Sequence, residues 1–420
     1  MFDLFALPRF ADAGSAAYRP GLDRMHALLE AMGHPERACP SVHIAGTNGK
    51  GSTSSFVAAI ATAAGLNVGL HTSPHLVALG ERMRVGGVPA SDDWIAAAAE
   101  RHAGLFARVG PSFFEATTAL AFFRFAEAAV DLAVVEVGLG GRLDATNVLM
   151  PVVSVVTSVG LDHTDLLGET LPEIAREKAG IARSGVPLLH AVDDPAARAA
   201  IEDTARAAGA PPEAVRETCR VGVEHAAPLA VSLATPWADY GRLNVGLPGA
   251  HQAWNAALAV RAAEIAIPSL TPDAVASGLM NVARLSGLRG RGEHTGEGIV
   301  LDVAHNDDGW RVALASAAPD PPGRLFALVG MMADKDAAAL AQRLVDAGAV
   351  ALPVGLPGDR ALGRDALSAV LQAGGVDVVD GGETVAEALA WFRAHRESTD
   401  RLLVTGSHVT VASALSGGTL

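Results

Sequence analysis

The chain has 420 residues, half of them apolar and only 19% charged, a composition that calls for a large buried core divided among two or three domains. Its 32 basic and 46 acidic residues leave a net charge of −14, which argues against broad, sequence-independent nucleic-acid binding by Lys and Arg on phosphates. Two isolated cysteines, Cys39 and Cys219, make neither a disulfide framework nor a cysteine zinc site and fit a reducing cytoplasm.

The opening MFDLFALPRF lacks a basic segment ahead of its short apolar stretch, so no secretory leader is expected. SVHIAG (41–46) predicts a buried strand, 52–64 a helix and LNVGLHT (66–72) a second strand. The uncharged run 51–80 is interrupted by Gly65, Asn67, His71, Pro74 and His75. It therefore lacks the roughly 20 consecutive apolar residues of a membrane span. Helices over 92–109 and 115–129 precede a strand in DLAVVEVG (131–138). PVVSVVTSVG (151–160) and GVPLLHAV (185–192) predict two more strands, with a helix over 171–182 between them. Strands alternating with helices imply right-handed crossovers and a mostly parallel sheet.

Pro211, Pro212, Pro228 and Pro236 break the pattern across 210–245, where short antiparallel strands are expected. Beyond a Gly/Arg-rich stretch, a second series of strands follows in GIVLDVAHN (298–306), RLFALVGMM (324–332), AVALPVG (349–355), VDVVDGG (376–382) and RLLVTGS (401–407). The expected fold class is α/β with two domains: 1–287 built on a mostly parallel sheet with a phosphate loop, a hinge at 288–298, and a smaller Rossmann-like domain at 299–420. Ligands of such sheets gather beyond the strand C-termini.

Chemistry concentrates at those strand ends. AGTNGKGSTSS (45–55) follows a predicted strand and opens a predicted helix. Glycines let backbone N–H groups turn around phosphates, Lys50 adds a cation, and the helix start adds its positive dipole end. The spelling departs from the usual phosphate loop because Gly51 stands between Lys50 and Ser52. EVGLGGRLDATN (136–147) places Glu136 where a nucleotide enzyme holds Mg²⁺, an ion that combines few carboxylates with water and phosphate oxygens. Glycines 138, 140 and 141 let another molecule approach the backbone, with Arg142 and Asp144 beside it. In SVGLDHTDLLGETLPEIAREKAGI (158–181), Asp162 and His163 end a third strand and Lys178 rides the next helix, which draws them toward the same nucleotide.

GTNGKGS, HTSPHL (71–76), FFEATTALAF (113–122), EVGLGGRLDATN, LDHTDLLG with EKAGI, LPGAHQAWNAALA (247–259), DVAHN (302–306), GMMADKD (330–336) and TGSHVTVA (405–412) stand in one order. In that order they resemble the folylpolyglutamate synthase and dihydrofolate synthase family of the Mur ligase superfamily, over nearly the whole chain. The resemblance implies an N-terminal domain like the Mur ligase central domain. It implies an ATP-dependent amide ligase in which a pterin carboxylate becomes an acyl phosphate and L-glutamate displaces the phosphate.

Carried over residue by residue, the resemblance implies ATP contacts at Asn48, Gly49, Lys50, Gly51, Ser52, Asn255, Arg291 and Asp302. Two Mg²⁺ sites are implied, with Ser73 and Glu136 at one and His163 at the other, together with Lys178 as a CO₂-derived carbamate. Pterin contacts fall at Pro20, Gly21, Leu22, Phe114, Glu115, Ala116, Thr117, Leu143, Asp144 and Ala145, and glutamate contacts at His305 and Ser407. Lys50, Lys178 and His305 are the expected catalytic residues.

The expected partners are small molecules: dihydropteroate or a reduced folate, L-glutamate and ATP. A cytoplasmic monomer without nucleic-acid or membrane partners is expected. Two departures stand out. Leu288-Arg289-Gly290-Arg291 replaces the family's Trp-Pro-Gly-Arg, and Arg289 becomes a rival for the role of Arg291. AYRPGLDR (17–24) keeps Gly-Leu-x-Arg without the acidic-Leu pair that often precedes it, which favours folate glutamylation over dihydrofolate synthesis. Two alternatives are a cell-wall Mur ligase, for whose extra domain the 45 residues before Gly46 are too few, and a nucleotide-binding module without ligase chemistry.

Overall fold

The computed structural model describes residues 2–8, 20–226, 228–319 and 321–416. The chain divides into two compact units, Met1–Gly246 with Ala250–Leu288, and Leu247–Gly249 with Arg289–Leu420.

The first unit is built on seven strands: β1 (Ser41–Ala45), β2 (Val68–His71), β3 (Arg84–Val85), β4 (Leu132–Glu136), β5 (Val153–Val156), β6 (Leu188–His190) and β7 (Pro212–Ala214). Their order is β3-β2-β4-β1-β5-β6-β7, parallel except for β3. Every residue of β1, β2, β4, β5 and β6 is buried, as expected of parallel strands covered by helices on both faces. The helix Lys50–Ala63 is buried from Gly51 through Ala61 and packs on helices Gln252–Ala266 and Pro272–Met280. Gly278 permits that approach, since a Cβ there would come within 2.5 Å of the Ile60 Cα.

Three antiparallel strands, β8 (Arg220–Ala226), β9 (Leu229–Ala234) and β10 (Asp239–Val245), form a side sheet in the order β10-β9-β8. Glu264 ties it to the helix Gln252–Ala266: its carboxylate accepts from Thr235 Oγ1 (2.5 Å), Tyr240 OH (2.9 Å) and Arg261 Nη1 (3.0 Å). The antiparallel expectation for 210–245 thus holds from residue 220 onward. β7 instead joins β6 in parallel and extends the large sheet; Pro212 begins that edge strand, a position where a missing N–H is tolerated.

The second unit holds β11 (Arg291–His294), β12 (Ile299–Asp302), β13 (Leu325–Val329), β14 (Val350–Pro353) and β15 (Arg401–Thr405), ordered β11-β12-β15-β13-β14. Only β11 is antiparallel. Trp310, Leu340, Leu344, Leu367 and Leu371 are among the side chains filling its core.

One expectation is refined here and one is corrected. Within the anticipated hinge at 288–298, where the boundary between the two units falls after Leu288, Arg291–His294 is strand β11, hydrogen-bonded to β12. VDVVDGG contributes a single bridge, Val378 to Ala351 beside β14, in place of a strand. The Asp380 carboxylate turns away to Arg364 Nη2 (2.6 Å) and the Gly382 N–H (3.1 Å), which bends the chain off the sheet. Among the described residues, no helix is long and apolar enough to cross a membrane.

Candidate active site

The loop from β1 to the helix Lys50–Ala63 is shaped by two glycines at positive φ, Gly46 (152°) and Gly49 (84°). A Cβ on Gly46 would overlap Thr157 Oγ1, and one on Gly49 would come within 2.5 Å of Asn255 Oδ1. The loop is fastened to the chain leaving β5. Thr47 N–H donates to the Ser158 carbonyl (2.9 Å), Asn48 N–H to Ser158 Oγ (2.9 Å) and Thr157 Oγ1 to the Asn48 carbonyl (2.7 Å). Lys50 Nζ arches back to the carbonyls of Gly46 (2.9 Å) and Thr47 (3.0 Å). Gln252 Nε2 donates to Ser52 Oγ (3.3 Å) and Asn255 Nδ2 to Gln252 Oε1 (2.9 Å). Asn48, Gly49, Lys50, Gly51, Ser52 and Asn255 therefore belong to one assembly at the helix start.

Glu136 closes β4 with only 4% of its surface exposed. Its Oε2 accepts the Ser73 N–H at 3.1 Å. Arg82 stands nearby; burial brings its pKa down to about 10, against the pull of Glu136 and Glu81. Lys178 is buried near the end of the helix Leu171–Ala179. Burial, reinforced by the charge of Lys50 and opposed by Asp162, lowers its pKa to about 7. The GLGGR turn locks onto this helix: Arg142 N–H donates to the Glu177 carbonyl (2.8 Å) and Arg142 Nη2 pairs with Glu177 Oε1 (2.9 Å). A Cβ on Gly141 would come within 2.7 Å of the Glu177 and Lys178 carbonyls. His163 adopts φ 49° and heads the short helix Thr164–Leu167, its Nε2 3.9 Å from Asp162 Oδ1.

Among the described residues, no three of His, Cys, Asp or Glu converge as a metal cluster. The donor set fits Mg²⁺ in its sparse mode, with one buried carboxylate and a neighbouring serine, and with water and phosphate oxygens completing the shell.

The residues assigned to the pterin split into two groups. Pro20 is exposed, Gly21 and Leu22 lie beside it half-buried, and Phe114 and Leu143 are also half-buried. Residues 17–19 of AYRPGLDR lie outside the described ones. The Phe114 ring covers Gly138 and lies 6.0 Å from the His71 ring. Glu115, Ala116, Thr117, Asp144 and Ala145 are buried, and the three polar members face inward. Glu115 accepts the Ser112 N–H (2.7 Å) in a capping box and pairs with Arg24 Nε (3.0 Å). Thr117 Oγ1 donates to the Phe113 carbonyl (2.9 Å). Asp144 accepts from Leu139 N (2.9 Å) and Thr146 N (3.0 Å); burial raises its pKa against these bonds. These bonds fix the backbone adjoining Phe114 and Leu143. Glu115→Ala should accordingly destabilise the fold by about 2 kcal/mol, from a lost cap and ion pair, read as a lower denaturation midpoint.

In the second unit, Arg291 and Asp302 are cross-strand neighbours on β11 and β12. Asp302 accepts the N–H groups of Gly292 (2.8 Å) and Ala304 (2.9 Å), and burial raises its pKa while Arg291 opposes the shift. The rival Arg289 is held by Glu293 at 2.6 Å. His305 donates Nδ1–H to the Val303 carbonyl (3.1 Å), and its ring lies 5.6 Å from that of His408, which sequence reasoning missed. Ser407 is buried and caps the last helix: its Oγ accepts the Thr410 N–H (3.1 Å) and bonds Thr410 Oγ1 (2.8 Å). The anchors Thr157 and Ser158 were also missed, although their place directly after a predicted strand was a usable signal.

Residues 44–263 match the Mur ligase middle domain, and residues 290–408 match the Mur ligase glutamate ligase domain. A dihydrofolate synthase/folylpolyglutamate synthase of Bacillus subtilis is 40% identical over 304 residues, 69% of this chain and 70% of that protein. The chain spans about half the length of two archaeal relatives, probable bifunctional folylpolyglutamate synthase/dihydropteroate synthases. The solved structure of E. coli FolC in complex with DHPP and ADP superposes with a TM-score of 0.84 at 31% identity, covering 95% of this chain and 93% of that one. A Yersinia pestis bifunctional folylpolyglutamate synthase/dihydrofolate synthase, complexed with AMPPNP and Mn ion, gives 0.84 at 30% identity, covering 97% and 95%. With the phosphate loop, the GLGGR turn and both domains matched in one chain, this protein belongs to the folylpolyglutamate synthase/dihydrofolate synthase family of the Mur ligase superfamily.

Proposed function

We propose that the chain uses ATP to join L-glutamate to the carboxylate of a reduced folate, with dihydropteroate as a second acceptor. The observation that carries this reading is the assembly at the β1, β4 and β5 strand ends: a two-glycine phosphate loop with Lys50, buried Glu136, and a buried lysine poised near neutrality.

The loop N–H groups and Lys50 hold the triphosphate, and Asn255 supports the loop behind Gly49. Ser73 and Glu136 would hold one Mg²⁺ and His163 a second, with Lys178 as a carbamate contributing oxygens. Bound there, the ions would supply neutralising charge for a phosphoryl transfer between two anions. The pterin carboxylate attacks the γ-phosphorus, giving an acyl phosphate and ADP. The glutamate amine then attacks the acyl carbon, an N–C bond forms, inorganic phosphate leaves and the amine sheds its proton. Phe114 and Leu143 offer apolar surface to the pterin, beside Pro20, Gly21 and Leu22. Arg291 and Asp302 serve the nucleotide, and His305 the incoming glutamate, with Ser407 fixing the adjacent helix start. We place the enzyme in the cytoplasm as a monomer working on small molecules.

The test is phosphate release with ATP, Mg²⁺ and L-glutamate, run separately with tetrahydrofolate and with dihydropteroate. Release with tetrahydrofolate is expected, and weaker release with dihydropteroate. Turnover of dihydropteroate alone reverses the ranking, and turnover of neither overturns the reading.

A further inference from the structure

A buried polar chain runs from β1 to Asp144, and the ligase reading gives two of its members, His43 and Thr146, no task. His43, at the centre of β1, is in register with Val135 of β4, and so is His71 of β2. In parallel strands, residues sharing a register position project from one face, so both imidazoles flank Val135 on the same side of the sheet. His43 Nε2 lies 2.8 Å from Thr146 Oγ1, and Thr146 Oγ1 lies 2.5 Å from Asp144 Oδ1. Asp144 Oδ2 takes the Leu139 N–H at 2.9 Å. One side chain in the core is thereby linked to both ends of the turn 139–146.

The direction of each bond follows from donor chemistry. A carboxylate accepts, so the Thr146 hydroxyl proton points to Asp144, and that hydroxyl must receive a proton from His43. The His43 proton therefore sits on Nε2, and Nδ1 is buried without a hydrogen-bond partner. Burial, with the charge of Arg183 and the neighbouring His71, lowers the His43 pKa to about 3, so the ring is a neutral donor across the working pH range.

We propose that His43 is a positioning residue for the pterin substrate: its Nε2–H sets the Thr146 hydroxyl, which orients Asp144 and fixes the turn that presents Leu143. This rests on the folate ligase reading. Without an oriented Thr146 hydroxyl, Asp144 loses its side-chain donor and keeps the Thr146 N–H (3.0 Å) on Oδ1 and the Leu139 N–H (2.9 Å) on Oδ2, so the turn is held less tightly. The phosphate loop, anchored through Thr157 and Ser158, has its own supports and should not respond.

The experiment measures steady-state kinetics for His43→Leu, His43→Gln, Thr146→Val and Thr146→Ser, varying tetrahydrofolate and ATP separately. His43→Leu and Thr146→Val should each raise KM for the folate about tenfold, the equivalent of one hydrogen bond at about 1.4 kcal/mol. KM for ATP should stay within about threefold of wild type. His43→Gln keeps an N–H at similar reach, Thr146→Ser keeps the hydroxyl, and both should recover most of the affinity. The Leu/Val double variant should be no worse than the worse single, because the two residues form one chain. Folate and ATP KM values that rise together, or a fall in thermal midpoint with no change in folate KM, overturn the proposal. Should His43→Leu fail to fold, the Thr146 pair decides on the same criteria. A wild-type enzyme that turns over no folate overturns the ligase reading itself, whereas an active wild type with unaffected variants overturns only the role of His43.

Discussion

Lys178→Ala should lower kcat by about 10²–10³-fold, the effect of removing a group aimed at transition-state charge. In the proposed site, an ammonium at Lys178 would repel a neighbouring Mg²⁺. A carbamate supplies anionic oxygens, which a hard cation prefers. Forming one requires the neutral amine: its lone pair attacks CO₂, an N–C bond forms and a proton leaves. An ordinary lysine near 10.4 is almost wholly protonated at neutral pH. With burial and Lys50 holding Lys178 at about 7, the neutral amine is a major species there. Enzyme depleted of bicarbonate should recover activity on its re-addition, faster as pH rises through 7.

The same shift has a stability consequence whose sign is fixed. The uncarbamylated native chain binds fewer protons at Lys178 than the unfolded chain between about pH 7 and 10.4, so its stability rises with pH across that window. Added short carboxylates should restore part of the Lys178→Ala activity by occupying the vacated position. Lys178→Arg keeps the charge, cannot be carbamylated and should be inactive. An active arginine variant makes Lys178 a phosphate contact.

Gly46→Ala and Gly49→Ala should each reduce kcat/KM for ATP by at least about 10²-fold, as expected when preorganised phosphate donors are displaced. At Gly46 the new methyl overlaps Thr157 Oγ1, whose hydroxyl holds the Asn48 carbonyl. At Gly49 it meets Asn255 at 2.5 Å and occupies positive φ, which costs a side chain about 1–2 kcal/mol. Gly65 is the control. It follows the same helix at φ +90° with nothing within 4 Å of its would-be Cβ, so Gly65→Ala carries the strain without the collision. It should lower stability by about 1 kcal/mol and leave ATP kinetics unchanged. Calorimetric titration with a non-hydrolysable ATP analogue separates the outcomes, and wild-type affinity in Gly49→Ala would remove the loop from the nucleotide site.

Much of this architecture was legible before any coordinates because its signals are local. A run such as Ser41–Ala45, buried throughout, reads as a core strand wherever it stands, and the glycines of GTNGKG announce a turn that other residues resist. The failures were at sheet edges. VDVVDGG has strand composition, but it lies beyond β14 and Asp380 finds Arg364, so the chain leaves after one bridge. Arg291–His294 reads as a flexible Gly/Arg linker and becomes a strand because the β12 edge was open to it.

The sequence by itself determined the order of strands and helices, the phosphate loop and the set of polar residues at strand ends, since each depends on neighbours a few positions away. Only the tertiary structure decided which of those residues stay available to a ligand. Glu115 meets Arg24 across 91 positions, and His43 meets Thr146 across 103. Ser407 spends its hydroxyl on Thr410, and Thr410 in turn reaches the Gly330 carbonyl 80 positions away. A buried polar group must find a partner or bear the cost of desolvation. That partner is chosen by how the sheets and helices pack, which no local pattern records.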